Sequence, residues 1–158
     1  MHLKILGTKG EMPESHPRHK KQSGILIDGQ LLLDLGDKKY LKYNPKWILL
    51  SHLHPDHAYF VRRGKEEIPS TDAEIFGPEK VGNYIRSIRR KRKLGSYTVT
   101  PVPTYHAKFV DSQGYIIQRG NKSILYTSDL IWIDKKYHPL FKKVDLIITE
   151  ASFLEPGG

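Results

Sequence analysis

Ser51-His52-Leu53-His54-Pro55-Asp56-His57 follows the continuous apolar run Trp47-Ile48-Leu49-Leu50 and places four side chains able to ligate a metal within six residues. The apolar run reads as a strand buried on both faces. In extended backbone, residues two apart point the same way, so His52 and His54 converge on one ion while Leu53 faces the other side. Pro55 holds His54 extended, and the chain then turns to present Asp56 and His57 from the start of a short helix expected over residues 56–63 and closed by Gly64. Imidazole and carboxylate donors suit Zn²⁺, with Mn²⁺ or Fe²⁺ as alternatives. The chain has no cysteine, which excludes disulfides, thiolate zinc sites, iron–sulfur clusters and a cysteine nucleophile.

Outward from this loop the first half reads as short β elements. Residues 3–6 form an apolar strand, and residues 24–28 and 31–35 flank Asp28-Gly29-Gln30, a hairpin signal. Residues 73–76 predict a brief strand. Residues 97–102 alternate threonine with apolar residues, and residues 114–118 and 123–126 form a second hairpin across Arg119-Gly120-Asn121-Lys122. Residues 134–143 read as helical and residues 144–149 as a last strand. With 158 residues and no linker or repeat, the chain is expected to be a single α/β domain over residues 1–158, built from mixed sheets.

The formal net charge of +9 is concentrated. Six of the eight residues from Arg86 to Lys93 are basic. Gly77-Pro78 offers a helix start and Gly95 a cap, while Val81, Tyr84, Ile85 and Ile88 make an apolar stripe at helical spacing. Arg86, Arg89, Arg90 and Lys93 repeat the spacing on another face, which is either a solvated helix surface or a ridge that tracks nucleic-acid phosphates. No apolar run approaches the roughly 20 residues that cross a bilayer, so a cytoplasmic protein without membrane contact is expected.

The motif His52-x-His54-x-Asp56-His57 after an apolar strand resembles the signature of the metallo-β-lactamase superfamily, and further landmarks follow in order. Asp34, in Leu33-Asp34-Leu35-Gly36, matches an early carboxylate that supports the metal loop. His106 matches a later ligand histidine, and Asp129, ending Leu125-Tyr126-Thr127-Ser128-Asp129, matches a bridging aspartate. The resemblance implies an αββα sandwich of two mixed sheets flanked by helices and two divalent metal ions. His52, His54 and His106 would hold the first ion, Asp56 and His57 the second, and Asp129 would bridge. It also implies hydrolysis by a hydroxide shared between the metals, with Asp56 orienting the nucleophile.

Leu6-Gly7-Thr8 and the segment ending Thr149-Glu150-Ala151-Ser152 are most similar to the tRNA 3′-processing endonucleases of the RNase Z type and related phosphodiesterases. Glu150 and Ala151 match that pattern and make Glu150 a candidate catalytic residue. Thr149 and Ser152 depart from the usual His and Thr. The superfamily's further ligand histidine on a later strand has no match before Gly158, and His138 is the only histidine after Asp129. The expectation is a fold incomplete at its C-terminus, leaving a sheet face or edge that a homodimer or a complementing segment covers. Arg62, Arg63, Tyr105 and Lys108 are further candidates to line the site, whereas His2, His16 and His19 read as surface residues.

A phosphodiesterase or nuclease acting on nucleic acid or a nucleotide leads the functional readings. A hydrolase of a small ester, thioester or lactone is the enzymatic alternative. A non-catalytic nucleic-acid-binding or assembly subunit that retains the metal motif is the other.

Overall fold

The structure, a computed structural model, describes residues 1–11, 20–62, 64 and 67–150. The chain divides into two compact units, Met1–Arg89 and Arg90–Gly158.

The first unit is a mixed six-stranded sheet in which space follows sequence: β1 (Leu3–Gly7), β2 (Gly24–Ile27), β3 (Leu31–Leu33), β4 (Trp47–Leu49), β5 (Glu74–Gly77) and β6 (Ile85–Ser87). The first two pairings are antiparallel and the remaining three parallel. The β2–β3 hairpin turns on Asp28 and Gly29, both left-handed at φ 50° and 69°, with Gln30 N–H donating to Ile27 O at 2.9 Å, as a type I′ turn requires. Leu26, Leu32, Ile48, Ile75 and Ile85 are successive register partners and form one buried row across the sheet, packed with Leu6, Tyr40 and Phe60. Each such aliphatic side chain stabilises the fold by roughly 1.5–3 kcal/mol on burial. Because β3 and β4 run parallel, the chain leaves both at the same end, and this brings Asp34 beside Ser51.

The second unit is a mixed sheet in the order β11-β8-β9-β10-β12, with β7 pairing β8. Its strands are β7 (Arg92–Leu94), β8 (Tyr97–Ala107), β9 (Val110–Arg119), β10 (Lys122–Ser128), β11 (Trp132–Ile133) and β12 (Leu146–Thr149). The β9–β10 hairpin turns on Gly120 at φ 60°. Val102, Ile116, Leu125 and Ile133 pack with Tyr137, Leu140 and Phe141, which come from a 3-10 turn (Lys135–Tyr137) and α1 (His138–Phe141). β12 closes the sheet order and keeps Leu146 and Ile147 at 44% and 47% exposure.

The expected pair of mixed sheets is present, with few helices among the described residues. Among the described residues the helical elements are short: 3-10 turns at Lys38–Tyr43, Tyr59–Val61 and Lys135–Tyr137, and the four-residue α1. The helix expected over residues 56–63 shrinks to Tyr59–Val61, and residues 134–143 are helical only in part.

The basic helix is a correction. Val81 and Ile85 share a face through an antiparallel bridge, N–H to O at 3.2 and 3.1 Å in the two directions, with left-handed Gly82 in the turn between them. Their i, i+4 spacing therefore records a tight turn and not a helical repeat. Ile85 then joins β5 in parallel register, and Arg92–Leu94 pairs with β8, so sheet pairing overrides helix propensity. Arg86, Arg89, Arg90 and Lys93 are exposed, and Arg86 Nη1 lies 2.7 Å from Glu74 Oε2. They do not form a helical ridge.

β8 is longer than its sequence pattern suggested and runs through Pro101 and Pro103. β7 covers β8 at residues 97–99 and β11 at residues 104–105. The prolines fall in the stretch between, where a missing N–H costs the sheet nothing.

Candidate metal centre

In the first unit the ligand loop leaves the end of β4 and is organised by Asp34. That residue is fully buried and left-handed at φ 56°, a conformation aspartate tolerates better than most residues. Its backbone N–H donates to Leu49 O at 2.9 Å. Its carboxylate then accepts three bonds: Ser51 N–H to Oδ1 at 2.7 Å, Ser51 Oγ to Oδ2 at 2.9 Å, and His57 Nδ1 to Oδ2 at 2.7 Å.

These contacts select tautomers. His57 spends Nδ1–H on Asp34, so Nε2 carries the lone pair, 3.4 Å from Asp56 Oδ2. Ser51 gives its only hydroxyl proton to Asp34 and accepts from His52 Nδ1 at 3.0 Å, which leaves His52 Nε2 as a second lone-pair donor. His52 Nε2 faces His54 Nδ1 at 3.1 Å, and the His52 and His57 ring centroids are 4.2 Å apart. For Zn–N bonds of about 2.05 Å, a tetrahedral ion sets its ligand nitrogens roughly 3.3 Å apart. His52, Asp56 and His57 are buried at 0%, 3% and 2% exposure and His54 is half-buried, and these donors fit a divalent metal.

The loop backbone is pinned as tightly as its side chains. His57 N–H and Ala58 N–H both donate to His54 O, at 3.0 and 2.8 Å, and Leu35 N–H donates to His57 O at 2.7 Å. Ser23 N–H donates to Asp56 O at 3.0 Å, and Gly36 N–H to Ser23 O at 3.0 Å. A β-carbon on Gly36 would collide with Asp56 O, so the approach of these two segments requires glycine.

In the second unit His106 lies near the end of β8 and Asp129 directly after β10. His106 Nε2 and Asp129 Oδ2 are 3.9 Å apart, and their side chains are 21% and 24% exposed. Glu150 accepts from Leu130 N–H at 2.7 Å and so braces the residue after Asp129, while Thr127 Oγ1 donates to Thr149 Oγ1 at 2.8 Å one step earlier.

The remaining candidates are placed as follows. Arg62 makes a two-pronged ion pair with Glu11 at 2.9 and 3.1 Å. Tyr105 stacks on Trp132, and Lys108 lies over Phe109 at 5.5 Å. His138 Nε2 is 3.2 Å from Ile133 O, and its ring stands 5.6 Å from that of Phe141. Arg63, His16 and His19 lie outside the described residues. Sequence reasoning missed Ser51, which transmits Asp34 to His52, and Gly36. The signals were a hydroxyl directly before the first ligand and a glycine two residues after the supporting carboxylate.

A family model described as the β-lactamase superfamily domain matches residues 39–157. A search of curated proteins finds no match. Among solved structures, the chain is similar to the metallo-β-lactamase fold protein YhfI from Bacillus subtilis, at 22% identity and a TM-score of 0.69 over 96% of this chain and 70% of that one. It is similar to the short form of human tRNase Z, at 16% identity and a TM-score of 0.67 over 96% and 78% of the two chains. It is also similar to Zn²⁺-bound PqqB from Methylobacterium extorquens, at 15% identity and a TM-score of 0.68 over 98% and 74%. At these identities the likeness is one of fold.

Proposed function

Because the chain belongs to the β-lactamase superfamily, we propose that it is a metal-dependent hydrolase whose substrate is a phosphodiester of a nucleic acid or nucleotide. The observation that carries this reading is the buried network in which Asp34, directly and through Ser51, sets His57 and His52 to offer lone pairs, with His52 Nε2 3.1 Å from His54 Nδ1. Three imidazoles and a carboxylate without sulfur favour zinc over softer ions.

The residues that would hold divalent ions are His52, His54, Asp56 and His57 of the first unit and His106 and Asp129 of the second. Bound there, the ions supply Lewis acidity to the scissile group and acidify water. The chain's own residues hold and orient. Asp34 keeps His57 and His52 in the ligating tautomer. Asp56, whose Oδ2 stands 3.4 Å from His57 Nε2, is the carboxylate available to orient a nucleophile. Glu150 fixes the Asp129–Leu130 backbone through Leu130 N–H and acts as a positioning residue.

The phosphodiester reading draws support from the net charge of +9 and from the exposed Arg86, Arg89, Arg90 and Lys93, which attract a polyanion without reading sequence. The likeness to tRNase Z in fold agrees with it.

The test is elemental analysis of protein purified without chelator, followed by hydrolysis of bis(p-nitrophenyl) phosphate and labelled RNA with Zn²⁺ or Mn²⁺. Bound metal and turnover are expected in the parent, and loss of both in His54→Ala. Turnover of thioesters or lactones in place of either phosphodiester would move the substrate class. Retention of RNA binding by a metal-free, inactive parent would replace catalysis with a binding role.

A further inference from the structure

The second unit carries an aromatic pair that the hydrolytic reading does not use. Tyr105 and Trp132 are register partners between β8 and β11, and their rings stack at 5.1 Å between centroids with 20° between planes. Both stay half open, at 53% and 47% exposure, and their neighbour Ile131 is 76% exposed. This is not core packing. Ile133, paired with Thr104, is buried in the cluster with Val102 and Leu125, and strand alternation sends Trp132 to the opposite face. The pair is also held still. Ile131 N–H donates to Tyr105 O at 2.6 Å, so the backbones beneath both rings are tied together.

The placement of this platform is as informative as its exposure. Tyr105 immediately precedes His106, and Trp132 follows Asp129 by three residues. Between Thr104, which pairs Ser112, and Ala107, which pairs Val110, β8 carries one extra residue, so Tyr105 and His106 together oppose Asp111 alone. A bulge of this kind breaks the alternation of side chains and re-aims them. One distorted stretch of strand thus directs both a candidate ligand and the stacked ring beside it.

We propose that Tyr105 and Trp132 form a stacking subsite for a nucleobase of the substrate, next to the phosphodiester whose cleavage was proposed above and on which this inference rests. A flat, rigid, half-exposed aromatic pair suits any base, because every base presents a π face, and it confers affinity without sequence preference.

The test uses the full chain with Trp47→Phe, which leaves Trp132 as the only emitting tryptophan of the two. Thymidine 5′-monophosphate is titrated against its fluorescence, with inorganic phosphate as the control. Saturable quenching by the nucleotide and none by phosphate is expected, with affinity falling about tenfold in Tyr105→Ala and returning in Tyr105→Phe. In turnover, thymidine 5′-(p-nitrophenyl phosphate) is compared with methyl p-nitrophenyl phosphate, which has the same leaving group and no base. Trp132→Leu is expected to lower the preference for the thymidine ester about tenfold through KM, and Trp132→Phe to keep it. Absence of nucleotide quenching, equal quenching by phosphate, or an unchanged preference in Trp132→Leu overturns the subsite. If neither ester is hydrolysed, the hydrolytic reading falls while the titration still decides whether the platform binds a base.

Discussion

In the first unit His52, Asp56 and His57 are buried and His54 is half-buried, whereas in the second unit His106 and Asp129 keep 21% and 24% exposure and stand 3.9 Å apart. Each region has a supporting carboxylate. Asp34 accepts three bonds at full burial, while Glu150, half-buried, accepts the Leu130 N–H. The difference shows where rigidity is needed. The 3.1 Å approach of His52 Nε2 to His54 Nδ1 is set by a loop whose backbone and side chains are tied to neighbouring segments. A pair of more open ligands on strand ends can adjust to what it meets.

The sharpest way to break this contrast is Gly36→Ala. The added carbon meets backbone, the Asp56 carbonyl, which cannot swing aside as a side chain could. A loss of about 4 kcal/mol or more is expected in denaturant unfolding, with the metal loop displaced. An unchanged midpoint would mean that the loop is looser than its hydrogen bonds indicate.

Exchanging the two carboxylates for alanine compares the regions directly. Asp34→Ala strands the buried Ser51 N–H and His57 Nδ1–H. It should cost about 3 kcal/mol and weaken metal binding roughly 10- to 100-fold. Glu150→Ala releases Leu130 N–H and should cost about 1 kcal/mol. Unfolding curves and metal titrations of the two variants check the order, and equal losses would erase the distinction.

The smallest effect concerns acid. Asp145 accepts from Ser123 N–H at 2.7 Å and Ser123 Oγ at 3.1 Å, and these bonds, first the backbone one, hold its carboxyl below its ordinary value of 3.8. A depressed folded-state value means that its stabilisation is complete above the unfolded value and disappears as pH falls through the folded one. Asp145→Asn should therefore flatten the acid limb of stability below about pH 4 and leave the neutral-pH metal loop unaltered. Thermal melts from pH 2 to 7 measure it.

How much of this was legible in the sequence depended on the range of each interaction. His52 and His54 were readable as candidates from extended-chain alternation, and His57 from the turn after Pro55, both local signals. The two hairpins were legible from Asp28-Gly29 and Gly120, whose left-handed backbones the turns require. Ser51 was not legible as a relay, because a serine hydroxyl acquires that role only when parallel pairing of β3 with β4 delivers Asp34 to it. The stretch from Val81 to Lys93 was misread because a tight turn and a helix both bring residues four apart together. β8 was read only over residues 97–102, where threonine alternates with apolar residues, and the positions of β7 and β11 show how it continues through Pro103 without interrupting a ladder.

The sequence by itself supplied the donor types and the expected convergence of two histidines, which follow from side-chain chemistry and the two-residue period of extended chain, and a motif that resembles the superfamily's signature. Tertiary structure alone decided the tautomers, the glycine beneath Asp56 and the open stack of Tyr105 on Trp132. Each of these rests on contacts between segments distant in sequence, whose register no local pattern specifies.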